Sequence, residues 1–286
     1  MDSTVRSHLD AAWSVREANF PPEIAFVYPL DTALISLTGD QCALQCAHCG
    51  GHYLRHMQPV WEARVDGATS ALISGGCDAT GCVPVASYLE RIRTIRPGRR
   101  LNWHVGLIDE PTMQQIAPYV DVISFDVVGD CETIRAVYGY DKGPADYAAT
   151  YRTLRRYAHV VPHITIGLHG GQLGHERPAM DLLAENGLDT LVFIVFIPTP
   201  GTPYAGCPPP QTQEVALLLA EARQRFPSIP IHLGCMRPRT SYRALLDPLA
   251  VRAGVNVIVS PSREARSMAT SLGLQAIETR ECCVFR

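Results

Sequence analysis

TALISLTGDQCALQCAHCGGHYL, residues 32–54, decides how the rest of the chain is read. Its opening, TALISLTG, is a short apolar run closed by glycine, as a strand running into a turn would be. Three cysteines follow at once, Cys42, Cys46 and Cys49, spaced C-x3-C-x2-C. Thiols two or three residues apart suit tetrahedral zinc, with His48 or His52 as a fourth ligand. They equally suit an iron–sulfur cube, either fully ligated for electron transfer or held at three corners with the fourth iron open. The residues alone leave all three options standing.

Outward from this stretch, apolar runs rich in β-branched residues alternate with amphipathic helical patterns to the end of the chain. Strands are expected at 34–39, 69–74, 101–106, 122–126, 163–168, 190–197, 230–234 and 256–259. Helices are expected at 83–94, 111–119, 146–157, 177–186, 212–225, 242–253 and 263–272, with a shorter one around 53–68. Eight βα units in 286 residues argue for an α/β protein with a parallel sheet, a complete (β/α)8 barrel of the TIM type. The rival, a doubly wound open sheet, lacks a convincing G-x-G-x-x-G after its first strand. The expected division is an N-terminal helical extension (1–30), the barrel (31–273) and a C-terminal tail (274–286) folding over the barrel mouth. The Pro-rich IPTPGTPYAGCPPP (197–210) lies between strand and helix patterns and reads as a loop, not a linker.

Charge and hydropathy exclude some functions. The 25 basic and 28 acidic residues give a net charge of −3, unlike a non-specific nucleic-acid binder. LVFIVFIP (191–198) is too short to span a bilayer, and the first twenty residues contain no apolar leader. A cytoplasmic protein with neither a membrane nor a nucleic-acid partner is expected, so its ten cysteines should be reduced and available for metal or chemistry.

In such a barrel the chemistry sits at the C-terminal ends of the strands. SGGC (74–77), FDVVGD (125–130), LHGGQLGHE (168–176), IPTPGTP (197–203) and LGCMRPR (233–239) all fall there, beside the three cysteines. In this setting C-x3-C-x2-C resembles the signature of the radical S-adenosylmethionine (SAM) enzymes. The resemblance implies that Cys42, Cys46 and Cys49 ligate a [4Fe–4S] cluster whose open iron chelates SAM, and that reductive cleavage releases a 5′-deoxyadenosyl radical. It further implies SAM contacts from ISGG, hence Ser74, Gly75 and Gly76, and from Ile197 and Pro198 in the loop along the adenine. His48 stands where an aromatic residue near the adenine is common. Asp126 and His169 are candidates for SAM contacts or proton handling, with Asp126 the catalytic candidate of the two.

Of the remaining cysteines, Cys82 and Cys131 read as structural and Cys207 as surface. Cys77, Cys235 and the adjacent pair Cys282 and Cys283 are candidates for a second, auxiliary Fe–S cluster, with Cys207 or Arg237 as substitutes. A full barrel with such a cluster resembles biotin synthase and, in SLTGDQCALQCAHCGGHYLRHM, SFDVVGD, HITIGLHGG, LGCMRPR and the terminal ECC, one component of the two-protein lipoyl synthases. That resemblance implies sulfur insertion into an octanoyl chain on a lipoyl carrier protein or lipoyl domain. It also implies a second radical SAM component and an electron donor such as ferredoxin or flavodoxin. Arg237, Arg239 and Arg243 are then candidates for a cationic rim facing an acidic carrier. The alternatives are a biotin-synthase-like, maturase-like or mutase-like enzyme acting on a small molecule, and a non-catalytic Fe–S carrier.

Overall fold

A computed structural model describes residues 3–286. Among them the chain forms α1 (Ser3–Asn19), β1 (Glu23–Val27), β2 (Thr32–Ser36), β3 (Gln58–Pro59), β4 (Ser70–Ser74), α2 (Leu89–Ile95), β5 (Arg100–His104), α3 (Glu110–Ile116) and β6 (Val122–Asp126). It continues through α4 (Cys131–Tyr138), α5 (Pro144–Arg155), β7 (Val160–Ile166), α6 (Glu176–Asn186), β8 (Leu191–Val195), α7 (Thr212–Arg225), β9 (Ile231–Leu233), α8 (Ser241–Arg252), β10 (Val257–Val259), α9 (Arg263–Ser271) and β11 (Gln275–Thr279). Side-chain caps fix several helix starts: Asp109, Asp130 and Ser262 accept from the Thr112, Thr133 and Ala265 amides. No helix of the described residues is long and apolar enough to cross a membrane.

All strand pairs are parallel, in the order β11-β1-β10-β9-β8-β7-β6-β5-β4-β2-β3. The expected complete barrel is therefore corrected to an incomplete one, a curved eleven-stranded sheet whose ladder stays open. The cause lies at 28–31. β1 and β2 run the same way, yet only these residues join them, far fewer than a crossover needs. They therefore lie end to end as one long bent strand, broken where Pro29 offers no amide to a ladder. The first half pairs with β10 and the second with β4, so the chain itself carries the wall across the place where the ladder stops.

Residues 23–27, expected within the extension, are thus a strand of the sheet. The helix expected around 53–68 is replaced by a single 3-10 turn, His52–His56, and the two residues of β3. Pro59 and Gly67 deny that stretch a longer helix.

Alternation along the strands separates two faces. On β6, Ile123 and Phe125 pack outward under the helices, whereas Val122, Ser124 and Asp126 point inward. The lower lumen is lined by Ala25, Val27, Val161, Val192, Val257 and Val259, and Cys283 and Val284 of the tail are buried among them. The tail therefore does not fold over the mouth. β11 climbs beside β1 and delivers the chain at the base of β2, where the Cys282 amide donates to Thr32 Oγ1 at 2.9 Å. From there the 3-10 turn Cys283–Phe285 plugs the lumen, packed among early residues of β6, β7 and β8 and the last residues of β1 and β10. Arg100 holds the plug from outside, pairing with Glu281 and lying 4.4 Å over the Phe285 ring.

Candidate active site

The cysteine loop begins where β2 ends. Leu37 donates from its amide to Ser74 O (2.7 Å), and Thr38 Oγ1 accepts from the Gly76 amide (2.7 Å) and donates to Gln41 O (2.8 Å). The Ala43 amide donates to Cys77 O at 2.8 Å. These bonds lay the loop along the backbone that leaves β4. It then coils tightly: the amides of Cys49 and Gly50 both donate to Cys46 O, with Gln45 (φ 46°), Gly50 (φ 48°) and Gly51 (φ 73°) in the left-handed region. Two glycines there allow a turn that other residues would resist.

One ligand atom each from Cys46, His48 and Cys49 fall within 4.8 Å of one another. The Cys46 thiol donates to Cys49, which is drawn down to about 4 by that bond, against burial and with help from His48. Cys46 is pushed up by the same bond, by burial, and by the charges of Cys49, Cys42 and Cys77. His48 Nδ1 is buried with no partner, and its ring lies edge-on to Tyr138 at 6.1 Å. Three thiols on one loop beside an unpartnered imidazole nitrogen fit a group that takes sulfur ligands.

Neighbouring loops lock onto this one. Val137 O at the end of α4 accepts from the Ala47 amide (2.8 Å), and Ala47 O accepts from Tyr204 (3.2 Å). Tyr53 Oη and Thr199 Oγ1 are 3.2 Å apart, and Thr199 Oγ1 donates to Ile197 O. His169 faces Tyr204 at 6.3 Å between ring centres. Thus Ser74, Gly75 and Gly76 on one side, and Ile197, Pro198 and His169 on the other, belong to loops that border the cysteines.

Below them the lumen is polar on one wall. His104 Nδ1 stands 3.7 Å from Asp126 Oδ2, and half of the Asp126 side-chain surface remains open. Burial would raise the Asp126 carboxyl, but His104, His163 and His48 outweigh it and hold it below the usual carboxylate range. His163 donates from Nδ1 to Val161 O (3.0 Å), and burial lowers it to about 4, so it is neutral at pH 7. His232 is lowered to about 3, again chiefly by burial, and its Nδ1 has no partner. Nothing in the sequence motifs singles out His104, His163 or His232 as site residues. Their signal was positional, since each occupies an inward position of its strand, as Asp126 does on β6.

The cysteines divide into two groups. Cys235, Cys282 and Cys283 act on one another. The Cys283 thiol donates to Cys282, holding it down at about 7, and Asn102 Nδ2 approaches Cys282 Sγ at 3.9 Å. Cys77, expected in that group, is instead beside Cys42, whose Sγ is 3.9 Å from Cys77 O, because the strand-four backbone docks on the cysteine loop. Arg237 is not on a rim either: it is fully buried, bidentate to Asp247 at 2.9 Å through both Nε and Nη2, and bonded to Gly234 O. Arg243 turns inward to Cys235 O (3.0 Å), leaving Arg239 exposed. Cys82 donates to Val83 O, Cys131 is exposed at the start of α4, and Cys207 lies close to Gly170.

No protein-family model and no curated protein matches the sequence. Solved structures do. Methylornithine synthase (PylB) is similar at 16% identity and a TM-score of 0.68, over 97% of this chain and 91% of that one. The FeFe-hydrogenase maturase HydG from Carboxydothermus hydrogenoformans is similar at 13% identity and a TM-score of 0.71, over 100% and 74%. The HMG-CoA lyase from Brucella melitensis aligns over 89% and 92%, at 11% identity and a TM-score of 0.53. At such identities the likeness is one of fold, a barrel shared along nearly the whole chain.

Proposed function

We propose that the chain is a radical SAM enzyme. The observation that carries this reading is the placement of C-x3-C-x2-C at the C-terminal mouth of a parallel barrel, on a loop that neighbouring backbones hold closed. Cys42, Cys46 and Cys49 hold a [4Fe–4S] cluster. Ser74, Gly75, Gly76, His48, Asp126, His169, Ile197 and Pro198 border the SAM site. When bound, the cluster and SAM supply a 5′-deoxyadenosyl radical after one-electron reduction. The chain's own part is to orient the substrate in the lumen and exclude water from it. A tail that closes the lower end leaves the mouth as the way in.

Within this class we read the reaction as sulfur insertion of the lipoyl-synthase type, on an octanoylated lipoyl carrier protein or domain. A second radical SAM component and a ferredoxin or flavodoxin donor complete the system. Cys235, Cys282 and Cys283 support this, because they are close enough to act on one another's charge, as ligands of one auxiliary cluster would be. One observation favours the small-molecule alternative of the maturase or mutase kind: the His104–Asp126 wall suits a polar ligand better than the end of an octanoyl chain.

Anaerobic iron and sulfide analysis with dithionite-driven SAM cleavage tests the reading. Iron, sulfide and 5′-deoxyadenosine are expected, all lost on Cys42→Ala, Cys46→Ala or Cys49→Ala. Zinc without sulfide refutes it, and a cluster that never cleaves SAM leaves a mere carrier.

A further inference from the structure

Cys77 has no place in the tail set and needs an account of its own. It lines a cavity of about 340 Å³ together with Cys42, Gln41, Gly76 and Asp78. A cysteine serving only as core would be enclosed by apolar groups, whereas this one is partly exposed and lines the same cavity as Cys42. Its position is also fixed from both sides. Cys77 O accepts from Ala43 and lies 3.9 Å from Cys42 Sγ. The preceding residue, Gly76, is pressed so closely on the loop that a Cβ there would stand 1.9 Å from Gln41 O. The fold thus docks the Cys77 backbone on the cysteine loop and places the residue in a cavity it shares with Cys42.

We infer that Cys77 is a displaceable fourth ligand of the cluster held by Cys42, Cys46 and Cys49. It caps the open iron while SAM is absent and gives way when SAM binds; this rests on the radical SAM reading. Capping forms one sulfur–iron bond as the thiol releases its proton to water. Displacement breaks that bond, the thiolate recovers a proton, and SAM donor atoms take the iron. No electron moves in either direction. The device answers a chemical weakness of a three-ligand cube, whose unprotected corner is the one open to attack and loss.

The test uses the full chain, loaded with iron and sulfide under anaerobic conditions, as wild type and as Cys77→Ala. Both are expected to hold about four irons in this cluster. Brief ferricyanide oxidation without SAM should convert Cys77→Ala to the three-iron form, read by electron paramagnetic resonance, several-fold faster than wild type. Added SAM should remove the difference. Equal rates without SAM, at full iron loading, overturn this assignment alone. Zinc in place of iron and sulfide in the wild type overturns it together with the reading beneath it. Mössbauer spectra of the wild type keep the question open to decision if the variant fails to fold. Four sulfur-ligated irons are expected before SAM, and one with the higher isomer shift of oxygen or nitrogen ligation after it. A distinct iron already present without SAM rules the assignment out.

Discussion

A side chain on Gly76 would begin 2.6 Å from the Cα of Cys42. The glycine following β4 is therefore needed for contact between two protein backbones, whatever it does for SAM. Gly76→Ala should push the cysteine loop away, at a cost typical of overpacking, about 1–3 kcal/mol, and cut iron retention sharply. At Gly75 the nearest atom to an added Cβ is Val83 Cγ1 at 3.2 Å, so Gly75→Ala should be milder. Gly174, where a Cβ meets nothing within 4 Å, is the control. Iron content and melting temperature of the three variants check the order. A Gly76→Ala protein with normal iron would show that the loop adjusts freely.

Much of this arrangement was legible because strand, turn and cysteines are adjacent in sequence. The eight expected strands exist, since buried parallel strands read as continuous apolar runs. β1 was hidden: EIAFV follows two prolines and precedes another, which disguised a strand as part of an extension. β11, QAIET, is an edge strand with a mostly exposed pattern, so no apolar run marks it. The destination of the tail was misjudged because length gives reach and not direction. Only the end-to-end joining of β1 and β2 puts residues 280–286 at the lumen floor. That the Cys77 backbone docks on the cysteine loop was hidden for a related reason, as spacing along the chain says nothing of which loop a backbone lies against.

The Arg237–Asp247 pair predicts a large stability effect. Both side chains are wholly buried, and Asp247 also accepts from the Ser262 amide at 2.9 Å. Arg237→Met strands a buried carboxylate and should cost about 3–5 kcal/mol. Removing both charges, as Arg237→Met with Asp247→Leu, should recover most of that loss. Urea midpoints of the two proteins check it, and a single variant within about 1 kcal/mol of wild type would contradict the burial.

The lumen histidines predict acid sensitivity. Unfolded, each titrates near 6.5; folded, burial lowers His163 to about 4 and His232 to about 3. Below pH 6.5 the unfolded chain binds the extra protons, so stability is full above that value and falls as pH drops toward 4 and then 3. Each histidine adds a slope approaching ~1.4 kcal/mol per pH unit within its window. Denaturation midpoints between pH 7 and 4.5 should decline, and less steeply in His163→Gln or His232→Gln. Unchanged slopes in both variants would show that these rings are protonated in the fold.

The tail carries the prediction with most at stake. Cys282 and Cys283 sit in the lumen plug, where Cys283 is 5% exposed among valines. Serine is close in size to cysteine, so Cys282→Ser with Cys283→Ser should leave the plug, the Thr32 contact and the upper loop in place. The double variant should therefore keep the first cluster and still produce 5′-deoxyadenosine. If these thiols and Cys235 anchor a second cube, iron should fall from about eight to about four per chain. Sulfur transfer to an octanoyl-lysyl carrier should vanish with it, because the sulfur donor would be lost. Iron already at about four in the wild type, unchanged in the variant, would leave the tail thiols without a metal. A wild type that makes no thiolated product on the carrier would direct the search to polar small molecules that fit the His104–Asp126 wall.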